Sequence, residues 1–248
     1  MKHFIFAPAL LLGLLVLQSA QATADEPDSK EYDSYKVIYE QDFDGDAAIE
    51  DFQFSDPKAW KSGKTDRGDG FLDLFGKSQY APPHTSPRNI ALLVDKKVKN
   101  FVLDLELQQT GAEYGHRDMC VFYNFEDPAH YYYTHIASKT DDRPHNVFIV
   151  DGKARTKVSH KTTEGHKWTD RWHHVRIVRN ADSGKIEVYV DDMTKPIMEA
   201  VDKTLKWGYV GVGSFDDTGR VRNLKLRAPE SKEGDKVTKH FEKAADKK

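Results

Sequence analysis

Short β-branched and aromatic runs recur along this chain, separated by turn signals and without any sustained helical period. The runs fall at 36–42, 70–75, 89–94, 100–108, 118–125, 131–137, 146–150, 173–179, 185–190, 209–214 and 220–226. Asp-Gly at 44–45, 69–70 and 151–152 and Ser-Gly at 183–184 supply turns between them. Strands of this length and spacing can bury their apolar faces only as a sandwich or barrel. The expectation is an all-β, two-sheet antiparallel domain over 36–228 with its first and last strands adjacent. Alternation nominates Trp172, Val175, Ile177, Ile186, Val188, Val190, Val210 and Val212 for the inter-sheet core.

The segments outside this span read differently. Lys2 and His3 precede an apolar run from Phe4 to Leu17, and small-residue patterns at 20–22 and 22–24 follow. Residues 1–24 therefore read as a signal peptide, and the expected location is secreted or periplasmic, with no membrane association after its removal. Residues 25–35 read as a polar leader, and 229–248 as a charged, disordered tail. The chain carries 37 basic and 40 acidic residues without strong clustering of either sign, which excludes nucleic acid as the main partner. Cys120 is the single cysteine, so no intrachain disulfide exists, and its place in an apolar run marks it as a small core residue.

Two polar-rich runs, 117–125 and 131–137, flank a turn signal at Glu126-Asp127-Pro128 and read as a hairpin. Side chains alternate along a strand, so Tyr131, Tyr133 and His135 share one face. His116 and Asp118 share a face on the facing strand and Arg117 opposes them; at least one of the three is expected in a groove. Such a face suits a sugar: rings pack on C–H faces while Asn, Asp and Arg meet hydroxyls. The bland alternative is a set of cross-strand pairs on a polar sheet face. Arg143 and His145 lie in a polar stretch before the run at 146–150 and are candidates for a binding rim.

Several blocks carry a family likeness. Trp172-His173-His174-Val175-Arg176-Ile177-Val178-Arg179 with the following hairpin, the closing strands 208–214 and 221–226, and the run 100–107 resemble the concanavalin A-like lectin/glucanase superfamily, a jelly roll of laminin-G type. Exported 3-keto-glycoside hydrolase-type domains within it often have a Tyr-Glu-x-Gln-Ile strand. Here Tyr132-Tyr133-Thr134-His135-Ile136 takes that place. The resemblance covers about residues 36–228 and implies a groove beside the hairpin. The laminarinase-type Glu-x-Asp-x-x-Glu pattern occurs only in the leader at 26–31, and the alginate-lyase motifs are missing.

Three functions fit these residues. A polysaccharide lyase would use His135 or Tyr133, with His116 and Arg117, as catalytic groups. Tyr131, Asp118, Asn124, Arg143 and His145 would then bind substrate. A non-catalytic carbohydrate-binding module needs the same aromatic face and no acid–base pair. A glycoside hydrolase would use Asp118 with a partner from Glu126, Asp127, Asp141 or Asp142. The expected partner is a polysaccharide or oligosaccharide. No cofactor is expected; the alternative is a calcium ion at Asp42-x-Asp44-Gly45-Asp46, but the pattern lacks the distal glutamate of a calcium loop and a tight turn explains it better.

Overall fold

A computed structural model describes Met1 and residues 32–241; the proposed signal peptide beyond Met1 and the leader up to residue 31 lie outside the described residues, as do residues 242–248. In chain order the strands begin with β1 (Lys36–Gln41), β2 (Phe52–Phe54), β3 (Trp60–Lys64), β4 (Gly70–Leu74), β5 (Asn89–Val98) and β6 (Phe101–Gln109). There follow β7 (Asp118–Asp127), β8 (His130–Ala137), β9 (Asn146–Asp151), β10 (Thr156–Lys157), β11 (Ser159–Thr162) and β12 (His173–Asn180). The last are β13 (Lys185–Val190), β14 (Met198–Val201), β15 (Gly208–Ser214), β16 (Gly219–Ala228) and β17 (Ser231–Glu233). One sheet runs β11-β14-β13-β12-β6-β16-β4-β3, with β1 also on β16. The other runs β10-β9-β8-β7-β15-β5-β17, with β2 also on β5. The result is the expected antiparallel jelly-roll sandwich, and the pairing of β1 with β16 brings the two ends of the domain together.

Alternation builds the core. Leu103, Leu105 and Leu107 of β6 face inward with Val175 and Ile177 of β12 and Ile186, Val188 and Val190 of β13. They meet Met119, Val121 and Tyr123 of β7, Tyr132 and Ile136 of β8, and Val210 and Val212 of β15. Each such side chain contributes roughly 1.5–3 kcal/mol by leaving water. Trp172 departs from expectation. It is in phase with the outward positions 174 and 176, and it lies between Phe71 and the guanidinium of Arg222, 4.4 Å from its ring centre. Trp60 and Trp168 are core tryptophans instead.

The expected hairpin is β7–β8, in which Cys120 faces His135 and Phe122 faces Tyr133. Its register shifts between Tyr123 and Asp127, where Asn124 takes a left-handed φ of 44°. The backbone of β15 presses on this bulge: a β-carbon at Gly208 would lie 2.3 Å from the Asn124 carbonyl carbon. Only glycine permits that approach.

Both flanking segments are more ordered than their polarity suggests. Tyr32 and Tyr35 are buried against Val102 and Val178, so residues 32–35, the described end of the leader, are docked there. The tail is likewise structured up to residue 241. Strand β17 pairs with Val98–Lys96, the Gln53 amide spans Thr238 and His240, and Phe241 packs on Tyr80 and Phe125. A few apolar anchors among many charges suffice to hold each segment against a sheet.

Candidate functional site

The outward face of β7 and β8 carries Asp118, Cys120 and Phe122 opposite Tyr131, Tyr133 and His135. At its dry end Phe125 stacks on Tyr131 with ring centres 5.0 Å apart, and Tyr80, His240 and Phe241 close over the face. At the other end, where β7 begins and β8 and β15 finish, the face opens into a cleft of about 640 Å³. Its walls include His116, Asp118, His135, Arg143, Arg155 and Phe215.

The floor is built by β-sheet geometry. Asp118 and Cys120 lie two residues apart on one strand, and His135 is the cross-strand neighbour of Cys120, so all three project together. Asp118 Oδ2 accepts the Phe215 N–H at 3.0 Å and the Cys120 thiol at 3.1 Å. His135 Nε2 lies 3.3 Å from the same oxygen, but it is not aligned for a hydrogen bond. Both His135 ring nitrogens and Asp118 Oδ1 are buried without a hydrogen-bond partner. Burial pushes the Asp118 carboxyl upward, but the neighbouring imidazole charge, the Phe215 amide and the Cys120 thiol outweigh it and hold it below its usual range. Burial first and the Asp118 charge second push the Cys120 thiol well up.

Arg155 forms one wall. Its guanidinium sits 4.7 Å from the ring centres of both Phe148 and Phe215, and its Nη1 donates to the Tyr133 hydroxyl at 2.8 Å. At the rim His116 Nε2 meets Asp141 Oδ2 at 3.1 Å, while Asp141 Oδ1 accepts the Arg143 N–H at 2.6 Å. Behind the floor Asp217 Oδ2 accepts the Asp118 N–H at 2.9 Å and the Tyr114 hydroxyl at 2.8 Å. Burial and the Asp118 charge raise the Asp217 carboxyl to about 6.

Of the residues nominated from sequence, the cleft gathers His116, Asp118, His135 and Arg143. Tyr133 lies one layer beneath and reaches the cleft through Arg155. As a proton acceptor it is corrected: burial holds its phenol well above the usual value, and its oxygen already accepts from Arg155. Tyr131 belongs to the dry aromatic cluster, not to a sugar-facing wall. Arg117 is corrected as well. It points the opposite way from Asp118, and its Nη2 and Nε donate to the Gln109 carbonyl and side chain. Asn124 is a structural clamp that donates to the Lys206 carbonyl at 2.7 Å and accepts from buried Arg179 at 2.9 Å. His145 is fully buried; it accepts the Ala137 N–H and bonds Thr163, and burial lowers it to about 4. Asp42 and Asp44 spend side-chain oxygens on the backbone amides of Asp44 and Gly70.

Arg155, Phe215 and Asp217 escaped sequence reading. All three stand in the irregular segments between strands with no periodicity to mark them, and Arg155 follows an Asp-Gly turn like many exposed basic residues.

A family model described as the 3-keto-alpha-glucoside-1,2-lyase-like domain matches residues 39–227. No curated protein matches the sequence. Among solved structures the chain is similar to the carbohydrate-binding module CBM66 from Bacillus subtilis, with 12% identity, a TM-score of 0.51, and 72% of this chain and 96% of that one covered. A Bacillus subtilis protein of unknown function with a galectin-like fold is similar at 10% identity and a TM-score of 0.51, covering 78% of this chain and 97% of that one. A mutant of the GH43 protein BlXynB from Bacillus licheniformis is similar at 15% identity and a TM-score of 0.51, covering 76% of this chain and 39% of that one. At these identities the likenesses establish the jelly-roll fold alone. The match over 39–227 runs from β1 to β16, nearly the whole sandwich, and the chain belongs to the family of 3-keto-alpha-glucoside-1,2-lyase-like domains.

Proposed function

We propose that the cleft binds a glycoside already oxidised to a ketone on its ring and cleaves it by β-elimination outside the cytoplasm. The observation that carries this reading is a half-exposed imidazole and a guanidinium held by two rings, both on one cleft of sugar-accommodating size. A ketone at C3 acidifies the C2–H bond. His116 takes that proton: the tautomer that donates Nε2–H to Asp141 leaves Nδ1 with a free lone pair. The C–H electron pair then forms an enolate, whose oxygen is met by the Arg155 guanidinium. As the ketone reforms, a C1–C2 double bond appears and the C1–O bond breaks. The leaving oxygen collects a proton, and the products are an unsaturated keto sugar and an alcohol. The family's name, which specifies a 3-keto-α-glucoside and a 1,2-lyase, favours this chemistry over attack on an unmodified polysaccharide.

The test is to incubate the purified protein with a 3-keto-α-glucoside and follow ultraviolet absorbance of the conjugated enone beside release of the alcohol. Enone and alcohol should rise together, and the unoxidised glucoside should remain intact. His116→Gln should lower the rate by roughly 100-fold or more, the usual size of a general-base contribution. Alcohol release without enone would convert the reading to hydrolysis. Binding of the sugar with neither product would leave a carbohydrate-binding module, which the aromatic wall of Phe215 also suits.

A further inference from the structure

We propose that Asp118, Cys120 and His135 bind one divalent transition-metal ion, zinc by the chemistry of the donors, at the floor of the cleft. One carboxylate oxygen, one sulfur and one imidazole nitrogen lie within 4.8 Å of one another, on adjacent strands that fix them. Zinc distances of about 2.0 Å to oxygen or nitrogen and about 2.3 Å to sulfur, at tetrahedral angles, require donors roughly 3.3–3.5 Å apart. Here the oxygen stands 3.3 Å from the nitrogen and 3.1 Å from the sulfur, which is that spacing within a few tenths of an ångström.

A second observation is independent of spacing. His135 is only 4% exposed and lines the cleft; its Nδ1 has no hydrogen-bond partner, and its Nε2 has only the poorly aligned Asp118 carboxylate 3.3 Å away. Orphaning a buried imidazole costs about 1–3 kcal/mol for each lost bond, and coordination removes that cost. The contrast with the group at His166, His173 and Asp191 is instructive. Those atoms are equally close, but Thr169 N–H occupies His173 Nε2 and Arg171 covers Asp191. The cleft floor has been left unsaturated; the other group has not.

Mixed oxygen, nitrogen and sulfur donors select zinc over calcium or magnesium. Binding converts the thiol to a thiolate and releases its proton to solvent. The Phe215 N–H on Asp118 remains as an outer bond that aims the carboxylate. Three protein donors leave a fourth position facing the cleft, the arrangement in which zinc polarises a carbonyl or a water. Only that last role rests on the keto-sugar reading.

The full chain, treated with a chelator and dialysed, is titrated with Co2+ and with Zn2+. One ion per chain is expected, and Co2+ should give the intense near-ultraviolet band of a thiolate–cobalt bond. Cys120→Ala should abolish that band, and His135→Ala should abolish stoichiometric metal while far-ultraviolet dichroism is kept. Cys120→Ser serves if the alanine variants fail to fold. No metal uptake by the parent protein, cobalt bound without a thiolate band, or undiminished uptake in the variants would overturn the proposal. Metal uptake with no elimination would refute the sugar chemistry and leave the site; undiminished elimination by the chelated protein would overturn the metal's catalytic role.

Discussion

Asn124→Ala is expected to unfold this domain more readily while leaving sugar affinity intact. Asn124 has no exposed surface and two strong hydrogen bonds, to the Lys206 carbonyl and from Arg179. Arg179 is itself fully buried, and its remaining donors go to the carbonyls of Gly184, Asp202 and Leu205. Truncation leaves a buried guanidinium N–H unpaired, at about 1–3 kcal/mol, and takes one hydrogen bond from the part-buried Lys206 carbonyl, at about 1 kcal/mol. Alanine at a φ of 44° adds about 1 kcal/mol, which asparagine tolerates better. The sum is about 3–5 kcal/mol, a large share of the roughly 5–15 kcal/mol typical of a domain. For a domain of this size it corresponds to a fall in Tm on the order of 10 °C. Asn124→Gly relieves only the backbone share, so it should recover about 1 kcal/mol of the loss. Urea unfolding gives the free energy, and calorimetric titration with the keto sugar gives the affinity. In an Arg179→Met background the Asn124→Ala penalty should shrink by about 1–3 kcal/mol, because the two share one bond. A Tm within about 2 °C of the parent, together with lost sugar binding, would refute the clamp and return Asn124 to the ligand site.

Acid should weaken the fold through His145. Its ring is buried neutral, with the pKa lowered from 6.5 to about 4 by burial and then by the His166 charge. Above pH 6.5 neither state binds the proton and the group contributes nothing to the pH dependence. As pH falls from there to about 4 the unfolded chain protonates and the folded chain does not, so stability drops by up to about 3 kcal/mol. The gap between urea midpoints at neutral and acid pH should narrow in His145→Gln but not close, because His166, also lowered to about 4 by burial, keeps its own share; an unchanged acid loss in that variant would place the sensitivity elsewhere. Phe241→Ala, which deletes ring contacts at 5.5 Å to Tyr80 and 5.9 Å to Phe125, should cost about 1–3 kcal/mol and raise binding of an apolar dye. No change in either readout would mean that the tail segment contributes nothing to the aromatic face.

The sandwich was legible because β6, β12 and β13 alternate cleanly, and a period of two leaves little freedom in which face is buried. Phase was the weak point. Trp172 reads as a core residue by size, but it shares parity with outward His174 and Arg176. The hairpin and the common face of Tyr131, Tyr133 and His135 were legible on the same ground. What lies on that face was not, because Tyr80, His240 and Phe241 arrive from distant segments and leave no local period. Polar residues misled in a consistent way. Asn124, Arg117 and His145 look like ligand groups in a strand-rich sequence, yet each satisfies buried backbone or side-chain atoms that the sequence cannot display.

The two ends of the outer face depend on each other physically. Tyr131, Phe125 and Tyr209, covered by the tail, form a dry block that fixes β8 and with it the depth of His135 and Tyr133. Arg155 can then stand on Tyr133, Phe148 and Phe215 with its charge near the cleft and most of its surface against rings. A guanidinium anchored this way loses little entropy when an anionic oxygen arrives, and the surrounding aromatic walls lower the local dielectric and strengthen the contact. The buried carboxylate of Asp118 acts in the opposite sense at the floor: it supplies negative charge where a cation, not a sugar oxygenate, is the complementary guest. The cleft thus sets the Arg155 guanidinium on one wall and the buried Asp118 carboxylate at its floor, the two opposite charges on which the proposed keto-sugar and metal readings rest.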